Sequence, residues 1–489
     1  MLSNKRMLAE VFPYSHVVFV ALTIIYALTI VSAIGVVISE NRNPVKTLAW
    51  VTVLLLLPIV GFLFYTFFGR SLKNTLIISR KNKLLLKNET EFDHTTVNPS
   101  ELSDDNRQLV ALANSLVEPH LFGNNAISIF TNGEDKFNAL KEDLLSAKHY
   151  IHIQYYIFEN DNIGHQISDI LTKKAQKGVK VRFIYDHVGS WHIDMSFIKK
   201  LRRAGVEIYP FLRVTFPEFA NRINWRNHRK IIVIDGHVGY IGGMNIADRY
   251  VTPTKEWPLP WRDTHLRITG NALAVMQYTF AVDWNFMRRE LITGKIESFE
   301  KTDDEDGNNI IQIVSSGPTG NWSNLSLIFL KAISQAKQRV LIQTPYFLPN
   351  DSLLKALQAS ALSGVDVRIM IPLKPDSRLL RYASLSYVKE CLEAGVRIYL
   401  YRPTMLHAKC VIVDDDFVST GSTNFDFRSF EHNFECNALI YGTAFNARMR
   451  AIFDDDIAQC DEITLEQWQQ RPMWRKAAES LARLMGPLL

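Results

Sequence analysis

The residues whose types and spacing could do chemistry form one short pattern that occurs twice in the chain. In both copies four residues separate Lys from Asp, and six separate Asp from the first Gly. The first copy is His228, Lys230, Asp235, Gly242, Gly243 and Asn245, and the second is His407, Lys409, Asp414, Gly421, Ser422 and Asn424. One imidazole could attack a phosphorus atom while the other handles the proton. The repeat therefore predicts a single phosphate-directed site built from two halves.

Each copy continues into a short apolar run, 231–234 in the first and 410–413 in the second. Such runs predict strands that are buried on both faces. Side chains alternate along a strand, so His and Lys two residues apart point the same way. A buried Lys is costly unless it meets an anion. The pattern thus predicts two cations beside two imidazoles, facing a phosphate.

The remaining members of the pattern divide into two groups. Small residues such as Gly243 and Ser422 let backbone N–H groups approach a ligand, and Asn245 and Asn424 can add donors. Asp235 and Asp414 lie an odd number of residues from their His. Strand alternation turns them away from the site, and we expect a structural role for both.

Two other readings of the pattern need weighing. A lone His-x-Lys before an apolar strand is usually a surface strand end, but identical internal spacing in two copies disfavours that reading. His and Asp are also metal ligands. A cation two residues from each His would repel a metal ion, so no metal is expected.

The repetition extends beyond the motifs, which indicates duplication of a whole unit. The segment 153–158 resembles 342–347, 177–182 resembles 363–368, and 203–209 resembles 393–399. Strands alternating with helical stretches predict an α/β fold with two duplicated halves and mostly parallel sheets. The predicted organisation is an arm at 1–15, a hairpin at 16–70, a linker at 71–115, halves at 116–300 and 310–470 joined by an acidic linker at 301–309, and a C-terminal helix at 471–489.

These residues resemble the phospholipase D superfamily with its paired HKD motifs, and the bacterial cardiolipin synthases in particular. The likeness includes 226–230, 261–265 and the tail 474–489, and it covers nearly the whole chain. It implies two phospholipase D-like halves that share one active site and need no cofactor. Gly243 departs from the superfamily pattern, which often has Ser there.

The resemblance also implies roles. His228 is the expected nucleophile and His407 the acid/base, while Lys230 and Lys409 would bind the non-bridging oxygens. Asp235 and Asp414 enter the catalytic list because the superfamily motif contains them. Asp263 and Glu435 are candidates to accept from an imidazole Nδ1–H; a loop ion pair with Arg262 is the alternative for Asp263.

The implied reaction joins two phosphatidylglycerols into cardiolipin and glycerol. The residues alone predict a membrane-anchored phosphodiester transferase or hydrolase. A phospholipase D that releases phosphatidic acid is the first alternative. A nuclease is disfavoured by the apolar segments and by the lack of a basic stripe in a chain of net charge +5, so no nucleic-acid partner is expected. A silent lipid-binding scaffold is the third alternative, although both His and both Lys are retained.

Two apolar segments near the N-terminus, 16–38 and 48–68, are each long enough to span a bilayer. Together they predict a transmembrane hairpin rather than a buried helix or a cleaved signal peptide. Cations concentrate after the second segment: Arg70, Lys73, Arg80, Lys81, Lys83 and Lys87. The positive-inside rule then places the body on the cytoplasmic side of a bacterial membrane.

Two further segments are candidates for lipid contact. At the C-terminus, Trp474, Leu481 and Leu484 recur at helical spacing, which predicts an amphipathic helix that lies in the membrane interface or packs against the body. The segment 211–227 mixes aromatic and cationic residues just before His228, where it could guide a headgroup or simply pack as a loop.

Overall fold

The computed structural model describes residues 3–39, 44–65, 69, 79–89, 97–117, 121–215, 224–288, 290–292 and 307–486. The acidic linker predicted at 301–309 lies outside the described residues up to 306, and so do residues 216–223 of the segment 211–227 that precedes His228. The chain divides into two units: the smaller contains the first three helices, and the larger contains a mixed sheet with its flanking helices.

The helices are α1 Ser3–Ser39, α2 Pro44–Leu56, α3 Pro58–Phe64, α4 Arg80–Glu89, α5 Asp104–Leu116, α6 Gly133–Ser146, α7 Asn162–Gln176, α8 Met195–Arg203, α9 Leu273–Arg288, α10 Asn324–Gln335, α11 Asp351–Leu362, α12 Arg378–Leu385, α13 Val388–Glu393, α14 Phe427–Glu431, α15 Thr443–Ile457, α16 Leu465–Gln469 and α17 Met473–Leu484. The strands are β1 Phe122–Phe130, β2 Tyr150–Tyr155, β3 Lys180–Asp186, β4 Glu207–Phe211, β5 Arg226–Asn227, β6 Ile231–Ile234, β7 Val238–Gly242, β8 His265–Gly270, β9 Asn309–Ser316, β10 Arg339–Gln343, β11 Asp366–Pro372, β12 Arg397–Tyr401, β13 Cys410–Val413, β14 Phe417–Gly421, β15 Asn433–Tyr441 and β16 Cys460–Ile463.

In the smaller unit, the predicted transmembrane spans 16–38 and 48–68 are not confirmed. Among the residues that the structure describes, none of the helices combines the length and apolar character needed to cross a bilayer. The second segment is divided between α2 and α3 at Leu57, which leaves the helical region with φ −134° and ψ 66°. Pro58 follows, and a proline disfavours helical backbone in the residue before it.

In the larger unit, one sheet runs through both halves of the duplication. Its strand order is β16-β12-β11-β10-β13-β14-β15-β9-β1-β8-β7-β6-β2-β3-β4, with β5 beside β15. The order is symmetric about the β9–β1 pair, where the halves join. The duplicated α/β fold is confirmed.

The prediction of mostly parallel sheets was wrong. Parallel pairing is confined to β2–β3–β4, to β10–β11–β12 and to the short β5–β15 pair. The strands that follow the two HxK motifs, β6 and β13, instead turn straight back into β7 and β14 as antiparallel hairpins. A tight turn can join only antiparallel strands, because parallel ones require a long crossover.

Strands β6 and β13 are buried along their whole length, as predicted. Each ends at a turn whose first residue is Asp in the left-handed region, Asp235 at φ 51° and Asp414 at φ 47°. The Asp235 carboxylate accepts the backbone N–H groups of 148–150 at 2.5–2.8 Å. That of Asp414 accepts the N–H groups of 337–339 at 2.7–3.0 Å. Both carboxylates thus tie the entry of a neighbouring strand, β2 or β10, to the end of an HxK strand.

Replacing either turn carboxylate by an amide should destabilise the protein. Asp414→Asn keeps a side chain that tolerates positive φ but loses the charge that three N–H groups share. We expect the free energy of unfolding to fall by about 1–3 kcal/mol, and similarly for Asp235→Asn. Thermal unfolding measures the change. The control is Asp454→Asn, an exposed carboxylate 4.0 Å from Arg368, where a loss below about 0.5 kcal/mol is expected. Equal effects at Asp414 and Asp454 would contradict the structural role.

Candidate active site

Four side chains of the two motifs, His228, Lys230, His407 and Lys409, are buried together where the halves meet. Each imidazole is within electrostatic range of both ammonium groups, its own and that of the other half. Two backbone hydrogen bonds join the halves beside these side chains. His228 N–H donates to Phe434 O at 2.9 Å, and His407 N–H donates to Arg262 O at 2.6 Å. The two motifs therefore form one site.

Each imidazole is held by a carboxylate from the opposite half. His228 Nδ1 lies 3.0 Å from both oxygens of Glu435, which is on β15. His407 Nδ1 lies 2.6 Å from Oδ2 of Asp263, which precedes β8. A carboxylate only accepts, so each Nδ1 carries a hydrogen and each Nε2 keeps its lone pair. The sequence singled out both acids but not the imidazole each would meet.

The two carboxylates are supported differently. Glu435 Oε2 accepts from Ser422 Oγ at 2.5 Å, and Glu435 Oε1 accepts from Asn433 Nδ2 at 3.2 Å. At the position equivalent to Ser422, a Cβ added to Gly243 would lie 2.1 Å from Asp263 Oδ1. A side chain at 243 would displace Asp263. Gly243 thus makes room for a carboxylate, and the Ser422 hydroxyl, predicted as a substrate donor, serves Glu435.

The two Asn residues, also predicted to bind substrate, have unequal surroundings. Asn245 is engaged on both sides: Oδ1 accepts from Ile157 N–H at 3.2 Å, and Nδ2 donates to Tyr250 OH at 3.3 Å. Asn424 is buried, and its Oδ1 atom has no hydrogen-bond partner among the described residues. The Asn424 side chain also hydrogen-bonds Asp426, and its unpartnered oxygen can accept from a hydroxyl of a ligand but not bind a phosphate oxygen.

Aromatic side chains complete the walls around the imidazoles; the sequence assigned none of them a role, although Trp261 lies in the family-like stretch 261–265. The Tyr156 ring stands edge-on to His228, with centroids 4.8 Å apart. Tyr250 OH lies 3.2 Å from His407 Nδ1, and the Trp261 ring is centred 5.4 Å from His407. An aromatic residue in a chain with many others carries no sequence signal; only its position beside an imidazole identifies it.

A second layer of charge fixes the backbone around the site. Arg229 Nη1 contacts Asp283 at 2.5 Å, and Gln154 on β2 donates to the same carboxylate. In the second half, Asp456 accepts from Gln343 on β10 and from Arg262 at 2.6 Å. The loop ion pair weighed for Asp263 with Arg262 is therefore absent, since Arg262 pairs with Asp456. Sequence reasoning missed both Gln–Asp pairs, although they recur at equivalent strands.

Burial dominates the electrostatics of the motif residues. It lowers the pKa of Lys409 to about 8 and that of Lys230 well below its usual value. Lys230 Nζ donates to His228 O at 2.7 Å. Lys409 Nζ lies 2.8 Å from His407 Nδ1, the atom whose hydrogen points to Asp263. An anion between the ammonium groups would favour their charged forms. The site thus has the character of a buried anion receptor.

Both imidazoles are neutral at neutral pH. Burial lowers the pKa of His228 to about 4 despite the opposing charge of Glu435. Burial, reinforced by the Lys409 charge, lowers the pKa of His407 to about 3. A neutral imidazole with a fixed Nδ1–H presents a nucleophilic Nε2, which is the form needed to attack phosphorus.

These lowered pKa values predict that the folded protein loses stability as the pH falls. An unfolded imidazole takes up its proton near pH 6.5, whereas folded His228 does so only near pH 4. The unfolded state therefore binds more protons between these values, and stability falls as pH drops through them, by roughly 3 kcal/mol for His228. Thermal unfolding from pH 7 to 4 should show a shallower decline for the His228→Asn, His407→Asn double variant than for the unsubstituted protein. Identical slopes would refute this assignment.

Comparisons with known proteins agree with this geometry. Residues 140–279 and 329–457 match a family described as cardiolipin synthase, PLD-like domain, and residues 24–70 match a phospholipase D-nuclease N-terminal family. A cardiolipin synthase of Geobacillus sp. (strain WCH70) is 40% identical over 96% of this chain and 94% of its own length. One of Geobacillus kaustophilus (strain HTA426) is 41% identical over 93% of this chain and 91% of its own.

Among solved structures, the phosphatidylserine synthase of Haemophilus influenzae Rd KW20 has a similar fold. Its TM-score is 0.58 at 16% identity, and the match covers 79% of this chain and all of that one. The family match covers both halves of the sheet and contains both HxK motifs. The chain belongs to the cardiolipin synthase family of the phospholipase D superfamily.

Proposed function

We propose that this phosphatidyltransferase transfers a phosphatidyl group from one phosphatidylglycerol to another through a phosphohistidine, releasing glycerol and forming cardiolipin. One observation carries the proposal: two neutral imidazoles, each fixed at Nδ1 by a carboxylate of the other half, share a buried site with two ammonium groups. The relatives named cardiolipin synthase supply the substrate class.

In the first step, Nε2 of His228 forms a bond to phosphorus, and the bond from phosphorus to the glycerol oxygen breaks. His407 gives that oxygen its proton. In the second step, a hydroxyl of another phosphatidylglycerol attacks the phosphohistidine, His407 takes up its proton, and the P–N bond breaks. Each imidazole ends as it began, and no metal or cofactor is required.

His407 needs a proton at the start, although its pKa in the free site is about 3. Burial is the largest cause of that low pKa, and the charges of Lys409 and Lys230 lower it further. A phosphodiester bound between the two ammonium groups would offset their contribution and so raise the His407 pKa. An ammonium drawn toward a phosphate oxygen would also move away from Nδ1 of His407, which Asp263 and Tyr250 would still contact. Substrate binding therefore prepares the acid, and Lys230 and Lys409 then stabilise the charge of the transition state.

Two features support His228 as the nucleophile. Its partner Glu435 is held by Ser422 and Asn433, so the imidazole orientation is firmly set. His407 Nδ1 instead lies beside the Tyr250 hydroxyl and the Lys409 ammonium. Both polar groups can shift when the charge of the imidazole or of a bound ligand changes. A nucleophile needs orientation, whereas an acid/base needs an adjustable pKa.

We place the enzyme at the bacterial cytoplasmic membrane with its body on the cytoplasmic side, held by an N-terminal hairpin. Support comes from the N-terminal family match at 24–70 and from apolar side chains along α1, such as Val17 and Phe19, that are exposed within this unit. The cations that follow the second apolar segment support the orientation.

The product distinguishes transfer from hydrolysis. Purified enzyme given labelled phosphatidylglycerol should yield cardiolipin and glycerol in equal amounts. If water reached the phosphohistidine instead, phosphatidic acid would be the main product. That outcome would replace the transferase with the membrane-anchored phospholipase D considered as the alternative.

Trapping the intermediate identifies the nucleophile. After alkaline quenching, His407→Ala should retain lipid-derived phosphate label on the protein, because the attacking imidazole remains but the second step lacks its base. His228→Ala should retain none, and both should lose at least about 10³-fold in turnover. His192→Ala, an exposed imidazole, is the control and should act normally. Label on His228→Ala instead would exchange the two roles.

Glu435 and Asp263 are held by different contacts. Replacement by Ala at Gly243 and at the equivalent Ser422 should therefore lower activity by different amounts. In Gly243→Ala the new methyl group would lie 2.1 Å from Asp263 Oδ1, so Asp263 must leave His407. A loss of about 100-fold in kcat is expected, in line with lost transition-state stabilisation. Ser422→Ala removes one hydrogen bond to Glu435 and should cost about tenfold. A harmless Gly243→Ala would show that Asp263 does not act through His407.

A further inference from the structure

The C-terminal helix α17 has two dissimilar faces. On one, Ala482 packs against Leu348 and Ala383, and Arg483 forms an ion pair with Glu390. On the other, Trp474, Leu481 and Leu484 are 59%, 66% and 78% exposed. The sequence left open whether the apolar stripe packs on the body or touches lipid. The helix does pack, but through its small residue, and the large apolar side chains point outward.

The neighbouring helix α12 extends this exposed surface. Leu379 is 38% exposed, and Arg378 and Arg381 on either side of it are exposed cations. Arg475 on α17 is exposed beside Trp474, with its guanidinium 5.3 Å from the ring centroid. We call this surface the α12–α17 patch; its members are Arg378, Leu379, Arg381, Trp474, Arg475, Leu481 and Leu484.

Neither helix of the patch carries an exposed carboxylate, although Asp376, two residues before Arg378, is exposed and accepts from Tyr346 OH. Helices α12 and α17 are described in full, and the one carboxylate in them is Glu479, which is 4% exposed and paired with Arg471. Basic and large apolar side chains without exposed carboxylates are the composition of a helix that lies on an anionic lipid surface. A protein partner or a second copy of this chain would require acidic groups to meet these cations.

A short chain of contacts connects the patch to the site. Leu348, packed against Ala482, bridges to Asp426 through backbone pairing. The negative charges of Asp426 and of Asp376 both act on Lys409, and Asp376 accepts from Tyr346 OH at 2.6 Å. The packed face of α17 is thus connected to the second half of the catalytic centre through Leu348 and Asp426.

We propose that the α12–α17 patch docks the larger unit on an anionic phospholipid surface. Apolar side chains enter the headgroup boundary, and the three arginines bind lipid phosphates. The contacts through Leu348 and Asp426 would then link the docked surface to the half of the site that contains Lys409. This inference deepens the proposed function, because it names the surface through which the same site receives its lipids.

A polarity-sensitive fluorophore tests the docking directly. The full chain, carrying Cys460→Ser because the other three cysteines are buried, receives the probe at Leu481→Cys. The matched control is Leu362→Cys, 73% exposed at the end of α11. Along the chain, strand β11 lies between that position and α12. In nanodiscs containing phosphatidylglycerol, emission should rise about twofold at 481 relative to detergent and stay unchanged at 362.

Equal emission at 481 in nanodiscs and in detergent would overturn the proposal. So would a rise at 481 with protein concentration in the absence of lipid, because a second copy would then cover the patch. Neither readout depends on turnover. The docking surface therefore stands or falls separately from the cardiolipin synthase reaction, which the product assay decides.

A functional assay then links docking to catalysis. Arg378→Gln with Arg381→Gln, and separately Leu481→Ser with Leu484→Ser, should lower the rate on phosphatidylglycerol bilayers about tenfold. The rate on monomeric short-chain phosphatidylglycerol should not change. An equal loss on both substrates would mean that these side chains support the fold, and the patch would have no role in lipid access.

Discussion

The rest of the structure depends on two buried contacts between imidazole and carboxylate that cross from one half to the other. His228 is held by Glu435 and His407 by Asp263, and both acids are fully buried. Burying a carboxylate is costly unless it is paired, so each half relies in part on the other half's imidazole to hold its acid. The same two halves are joined by strand pairing into one continuous sheet. The crossing also ties catalytic geometry to the fold itself.

Duplication gives two similar halves, but the proposed reaction needs a different role from each imidazole. The difference is concentrated where Ser422 and Glu435 in one half correspond to Gly243 and Asp263 in the other. A hydroxyl braces the longer acid, while the absence of a side chain admits the shorter one. Symmetry thus builds the site, and a single missing side chain distinguishes the surroundings of its two imidazoles.

Charge explains why a phosphodiester is the natural ligand. Two buried ammonium groups lie beside two neutral imidazoles. Burial lowers the pKa of Lys230 and of Lys409, and the charge of Lys409 lowers that of Lys230 further. An entering phosphate restores the charged lysines and makes His407 easier to protonate. The negative charge of the substrate would thus balance the positive charges of the site. A patch of arginines and apolar side chains on α12 and α17 would bring that substrate from a bilayer.

Local rules determined much of this protein from sequence alone. The buried strands β6 and β13 follow from their apolar runs, and the distance of Asp235 and Asp414 from the imidazoles follows from odd spacing along a strand. The doubled motif likewise indicated one shared site and its family. Tertiary structure decided the rest: the antiparallel return of β6 and β13, the partner of each imidazole, the space that Gly243 leaves for Asp263, and the walls formed by Tyr156 and Tyr250. Alternation acts between neighbours and can be counted along the chain, whereas these contacts join residues up to 207 positions apart and exist only once the halves have met.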